Sequence, residues 1–160
     1  MGIQFHEFSF KELLKIIDKW RWQEIKYGYD KKFLSREDII YYAVLILDLS
    51  IEKFEIVLEL SIASPEDDID SLLSKLVNSD KSEDMDYIRK KWLFVIMCYL
   101  YYNKEKIKNI YETIEDIYSD FDYPEEIKGL IRYMPCDDYS NMSFNERWVN
   151  YIKTQEKIYK

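Results

Sequence analysis

Glycine and proline are scarce, with three of each among 160 residues. Turns and hairpins draw on both, so a many-stranded β fold would have few residues with which to turn its corners. Histidine occurs once, as His6, and cysteine twice, as Cys98 and Cys136. A single imidazole close to the start of the chain leaves Ser-His-Asp and Cys-His arrangements only one candidate base. Three scattered thiol and imidazole groups cannot build a four-ligand zinc site, so no metal is expected. Cys98 stands in an apolar stretch and Cys136 in a polar one. Two free thiols are therefore expected rather than a disulfide, and with them a cytoplasmic location. Gly2, Gly28 and Gly129 are isolated, which excludes a phosphate-cradling loop and leaves no cofactor to expect. The first ten residues carry neither a basic stretch nor an apolar one, so no secretory signal is expected.

Bases are also short against acids: 23 Lys and Arg face 31 Asp and Glu, for a net charge of −8 and a pI near 4.8. That argues against nucleic acid, where phosphate contacts need a basic surface, and against anionic membranes. It suits a basic protein partner, and it suits plain solubility equally. The charge is uneven along the chain. Residues 51–86 hold eleven acids against three bases, and residues 111–146 hold ten against two. Residues 87–110 between them hold six bases against one acid, enough to neutralise part of both.

What the chain does hold is apolar and aromatic side chains, 48% and 17% of residues, with fifteen tyrosines. Disorder is excluded by that content, and the length suits one domain over 1–160. Residues 92–102, WLFVIMCYLYY, run without charge, glycine or proline. At 100° per residue they cover every side of a helix, so none of its faces prefers water. Eleven residues fall well short of the roughly 20 a membrane span requires. The run therefore predicts a buried central helix over about 84–102 in an all-α fold of seven to eight helices.

Helix starts are read from capping signals. Ser9 with Glu12 opens a first helix burying Phe10, Leu13, Leu14, Ile17 and Trp20, with Gly28 as its stop. Ser35 with Asp38 opens a second, whose apolar residues 39–47 are expected to be buried. Ser50 caps a third, to about Ile62. Ser64-Pro65 opens a fourth through Ile69, Leu72, Leu73 and Leu76. Asp80 and Glu83 cap the central helix. Asn103 caps a sixth, with Ile107, Ile110, Tyr111, Ile114, Ile117, Tyr118 and Phe121 on one face. A seventh runs from Tyr123-Pro124 to about Tyr133, and Ser143 with Glu146 opens the last, with Phe144, Trp148, Tyr151, Ile152 and Tyr159 inward.

Chemistry is harder to find. The acids Glu66, Asp67, Asp68 and Asp70 have no glycine for a calcium loop and fall in the first turn of a predicted helix, where the macrodipole favours them. Paired carboxylates elsewhere lie at helical spacing on polar faces. Acid–base work needs two carboxyls across a cleft, and only a concave cluster of them would speak for an enzyme. Surface recognition is the stronger reading. Glu112, Asp116 and Asp120 repeat every four residues and form a ridge opposite the apolar face of the sixth helix. Asp137, Asp138 and Tyr139 lie in the unpatterned stretch before the last helix, where loops often carry recognition. Tyrosines around this region supply contact area with a polar tip, and carboxylates steer a basic partner. The rival acidic face is the stripe Glu52, Glu55 and Glu59.

The segment Ile131-Arg-Tyr-Met-Pro135-Cys-Asp-Asp138, followed by Asn145-Glu-Arg147-Trp148, and Trp22-Gln-Glu-Ile25 with residues 35–43, resemble a small bacterial family of uncharacterised all-α proteins. Its members are similar to the immunity proteins encoded beside secreted polymorphic toxins. The resemblance implies a cytoplasmic antitoxin that binds a cognate toxin domain and blocks its active site; the acidic charge leads us to expect that the toxin is basic, and the lack of a catalytic constellation that the chain is not an enzyme. The alternatives are a structural or regulatory interaction protein, with a homodimer left open, and an enzyme with a carboxylate site in a helical cleft.

Overall fold

The computed structural model describes residues 9–78, 84–132 and 142–159. Among them lie eight α-helices, two 3-10 helices and no strand: α1 (Phe10–Ile16), α2 (Trp22–Asp30), α3 (Arg36–Ile46), α4 (Phe54–Ser61), α5 (Ile69–Asn78), α6 (Met85–Tyr102), α7 (Ile110–Asp120) and α8 (Phe144–Tyr159). The 3-10 helices are Lys104–Lys106 and Glu125–Leu130. The all-α class is thus what the chain adopts. It divides into two compact units, one built from Lys11–Asp18 with the chain after Arg89, the other chiefly from Lys19–Ile88.

In the first unit the apolar run is the core. Trp92 to Met97 are at most 1% exposed, and Cys98 and Leu100 are buried with them. The free thiol of Cys98 sits here, while Cys136 falls outside the described residues. Trp148 of α8 is fully buried and its indole Nε1 donates to the Met97 carbonyl at 3.2 Å. Phe94 stacks on Tyr159 with ring centres 5.3 Å apart. Water reaches the run only in its last four residues, where Tyr99 and Tyr101 are half-buried and Tyr102 is 67% exposed. Lys91, just before the run, is buried as well. No helix of the described residues is long and apolar enough to cross a membrane.

In the second unit α3 packs on α4, α4 on α5, and α2 on both α3 and α5. Seven sequence expectations are corrected here and in the neighbouring segments. The predicted first helix is two, α1 and α2, broken at 17–21. The Tyr42 hydroxyl accepts from the Trp20 backbone N–H at 3.1 Å and donates to its carbonyl at 2.9 Å. Those are the groups a continuous helix would have paired, and Phe10, Trp20 and Trp22 gather round the same ring or each other. A tertiary partner thus overrides local propensity. Gly28 does not end α2 but lies buried inside it, and the left-handed residue beyond the helix is Lys32, φ 66°. Ser35 and Asp38 do form the expected reciprocal cap. Residues 39–47 are not all buried, however: Ile39, Tyr42 and Ala43 face inward while Val44 and Leu45 are about half exposed.

Ser50 caps nothing helical. Its hydroxyl and backbone N–H both donate to Asp48, and α4 starts only after Lys53, itself left-handed at φ 58°. Ser64-Pro65 opens a turn, not a helix; α5 begins at Ile69, where Asp68 Oδ1 accepts from the backbone N–H groups of Asp70 and Ser71. Asn103 donates to the Tyr99 carbonyl at the end of α6, and α7 is capped by Asn109 instead. The segment after Pro124 is a 3-10 helix ending at Leu130. Ser143 caps α8 as expected. Asp80 and Glu83 lie outside the described residues.

Candidate functional site

α7 buries Ile114, Ile117 and Tyr118, with Phe121 just beyond its end, and turns its acids the other way. The helix forms because Asn109 Oδ1 accepts from the Glu112 backbone N–H at 3.2 Å, while the Asn109 amide donates to the Glu112 carboxylate at the same distance. Glu112 therefore has a structural reason to be acidic: it closes the cap and meets the positive end of the helix. Glu115 has another. Arg132 grips its carboxylate through Nε at 2.8 Å and Nη2 at 3.1 Å, and that hydrogen bond holds the Glu115 carboxyl below its ordinary range. The same guanidinium lies 5.3 Å from the centre of the Tyr111 ring, which in turn contacts Phe144.

Asp116 and Asp120 are placed differently. Glu112 and Asp120 are exposed and Asp116, between them, is half-buried. Burial raises the Asp116 carboxyl above its ordinary value; a positive charge works against this, and the charges of Glu112, Asp120 and Glu115 add to it. Like charges four residues apart destabilise a helix. Asp120 is the last residue of α7, the end where the macrodipole disfavours a negative charge. The predicted ridge is thus present, with its middle carboxylate sunk below its ends. Asp137, Asp138 and Tyr139 lie outside the described residues, as does Tyr133. Tyr118 is buried against Tyr123, which is 59% exposed. Ion pairs of the neutralising kind predicted for residues 87–110 include Lys90 with Glu126 at 3.5 Å.

Two of the clefts bear more than one carboxylate. One, about 200 Å³, is walled by Glu125, Glu126, Arg147, Asn150, Tyr151 and Gln155. Burial pushes the Tyr151 hydroxyl well above its ordinary value, so it stays a neutral phenol. The other, about 430 Å³, is lined by Glu59, Asp67 and Asp68 beside Ile62 and Leu72. These three carboxylates share a concave wall, the feature that would speak for an enzyme. All three lie exposed, whereas acid–base pairs work from carboxyls of unequal environment. No group of three or more His, Cys, Asp or Glu among the described residues is placed to hold a metal ion. His6 lies outside them.

Residues 12–156 match the family described as "Uncharacterized protein conserved in bacteria (DUF2247)". The chain belongs to that family. The match covers α2 to α7 entire, with nearly all of α1 and α8, so the acidic face of α7 and both clefts fall within the family's own span. No curated protein and no solved structure matches the chain.

Proposed function

We propose that this family member is a non-catalytic protein-binding inhibitor of the immunity type, neutralising a cognate secreted toxin domain through the acidic face of α7. One observation carries the reading. Asp116 is half-buried among like charges, four residues from Glu112 on one side and from Asp120 on the other, and Asp120 ends the helix where its dipole disfavours a negative charge. Neither the cap nor the Arg132 pair accounts for Asp116. A cationic partner surface removes the repulsion when it arrives, so the cost in the free protein becomes a gain on binding. Tyr123 and Tyr111, at the edge of this face, supply exposed aromatic area of the kind interfaces use. A basic toxin would be steered to such a surface, and its on-rate would fall as salt rises.

The test is association kinetics with the product of the gene directly upstream, at two salt concentrations. The parent is compared with Asp116→Lys and Asp138→Lys, singly and together. Association slowed in the variants, most at low salt, with the helical spectrum unchanged, supports the proposal. If both variants associate as fast as the parent, the face is merely solvated and the inhibitor reading loses its surface.

A further inference from the structure

An exposed stripe on the second unit belongs to α4 and its C-cap residue, Ile62. Glu55, Leu58, Glu59 and Ile62 follow at spacings of three, one and three, which places them on one face of the helix. Leu58 is 36% and Ile62 73% exposed. Val57 and Leu60 on the other side are completely buried, so α4 is anchored in the core and presents this stripe outward. Below Ile62 the stripe runs into the 430 Å³ cleft, whose far wall is Asp67, Asp68, Leu72 and Lys75. Two apolar side chains thus meet three carboxylates and a single base. Glu55 and Glu59 form no hydrogen bond or ion pair among the described residues.

The far wall is held in place before any partner arrives. Arg36 of α3 donates through Nη1 to the Asp67 carbonyl at 2.9 Å and through Nη2 to the Ser64 carbonyl. Asp67 Oδ2 accepts from the Ser64 backbone N–H at 2.8 Å, and Asp68 Oδ1 caps α5. Each aspartate is thereby oriented through one oxygen while it lines the cleft. Preordered groups cost little conformational entropy on binding. An apolar stripe rimmed by fixed negative charge complements one kind of occupant: long aliphatic stems with cationic heads, which lay their methylenes on Leu58, Ile62 and Leu72 and carry their charge to the rim.

We propose that this face of α4, with the cleft beside it, docks a lysine- or arginine-bearing amphipathic segment of a protein partner. The inference does not rest on the α7 reading, since it concerns a different unit and different carboxylates. Its test uses the full, isotope-labelled chain and a defined probe, an amphipathic helical peptide with leucine on one face and lysine on the other. Titration followed by NMR should move the amides of Leu58, Glu59, Ile62, Asp68 and Leu72 together. Ile62→Asp and Glu59→Lys should each weaken the peptide roughly tenfold, about 1.4 kcal/mol, while Asp116→Lys leaves its affinity unchanged. A peptide with glutamate in place of lysine should move none of these amides. Equal response to both peptides, shifts centred on α7, or an Ile62→Asp variant that binds as the parent does would each overturn the proposal. So would concentration-dependent shifts of the same amides without peptide, which would mark the face as a contact between two copies of the chain.

Discussion

Asp116→Asn removes one negative charge from α7 and changes almost nothing else, because Asp and Asn differ little in helix propensity. In the native helix Asp116 faces Glu112 and Asp120 at four-residue spacing, and its own burial works in the same direction. Two like-charge pairs at roughly 0.2–0.5 kcal/mol each predict a gain of about 0.4–1 kcal/mol at neutral pH. For a chain of this size that raises the thermal midpoint by roughly 1–4 °C. The sign with pH follows from the direction of the shift. The folded-state carboxyl of Asp116 lies above its unfolded value, so protonation favours the fold. That stabilisation is fully present below the unfolded value and is lost as pH rises through the raised one. The asparagine variant should therefore melt with the parent in acid and above it at neutral pH. Calorimetry at both pH values, in low salt, reads the difference, and added salt should shrink it. A neutral-pH midpoint equal to or below the parent's would refute the argument, because the carboxylate would then be helping the fold.

The remaining predictions concern the core and the helix break. Phe94→Ala should cost about 3–5 kcal/mol and Ile96→Ala about 2–5 kcal/mol, since both are fully buried in α6; urea unfolding measures this, and a loss below about 1 kcal/mol would mean the run is not a packed core. Tyr42→Phe should cost roughly 1–3 kcal/mol by depriving two Trp20 backbone groups of their phenolic partner. Faster hydrogen exchange at the Trp20 amide would accompany it, whereas an unchanged exchange rate would show that the hydroxyl does not hold the break open.

Local signals and long-range ones divide sharply in this chain. The reciprocal cap at Ser35 and Asp38, the cap at Ser143 and the buried face of α7 all rest on residues within a turn or two of one another, and all are present in the structure. The break between α1 and α2 depends on Tyr42, twenty-two residues beyond Trp20. Periodicity across 9–28 cannot contain that information. The two apolar runs teach the same point. Residues 92–98 are buried on every side because Trp148, Tyr151 and Tyr159 come from the far end of the chain to cover them. Residues 39–47 read equally apolar, yet Val44 and Leu45 face solvent. Composition states that a helix has no polar face and does not state how many neighbours it will find.

The same limit decides which acidic surface is legible. The α7 ridge follows from a four-residue period alone, so Glu112, Asp116 and Asp120 can be named from the sequence. Of the α4 face only Glu55 and Glu59 can, because Ser64-Pro65 reads as a helix start and draws Glu66, Asp67 and Asp68 into a first turn, where the macrodipole explains them. In the structure the helix begins at Ile69. The serine and proline belong to a turn that Arg36 pins from α3, a contact across 28–31 residues. With the helix moved, only Asp70 stays in its first turn, and Asp67 and Asp68 become part of a cleft wall facing Glu59 and Ile62. A shift of one helix boundary by four residues thus converts two structurally explained acids into one side of a candidate docking surface.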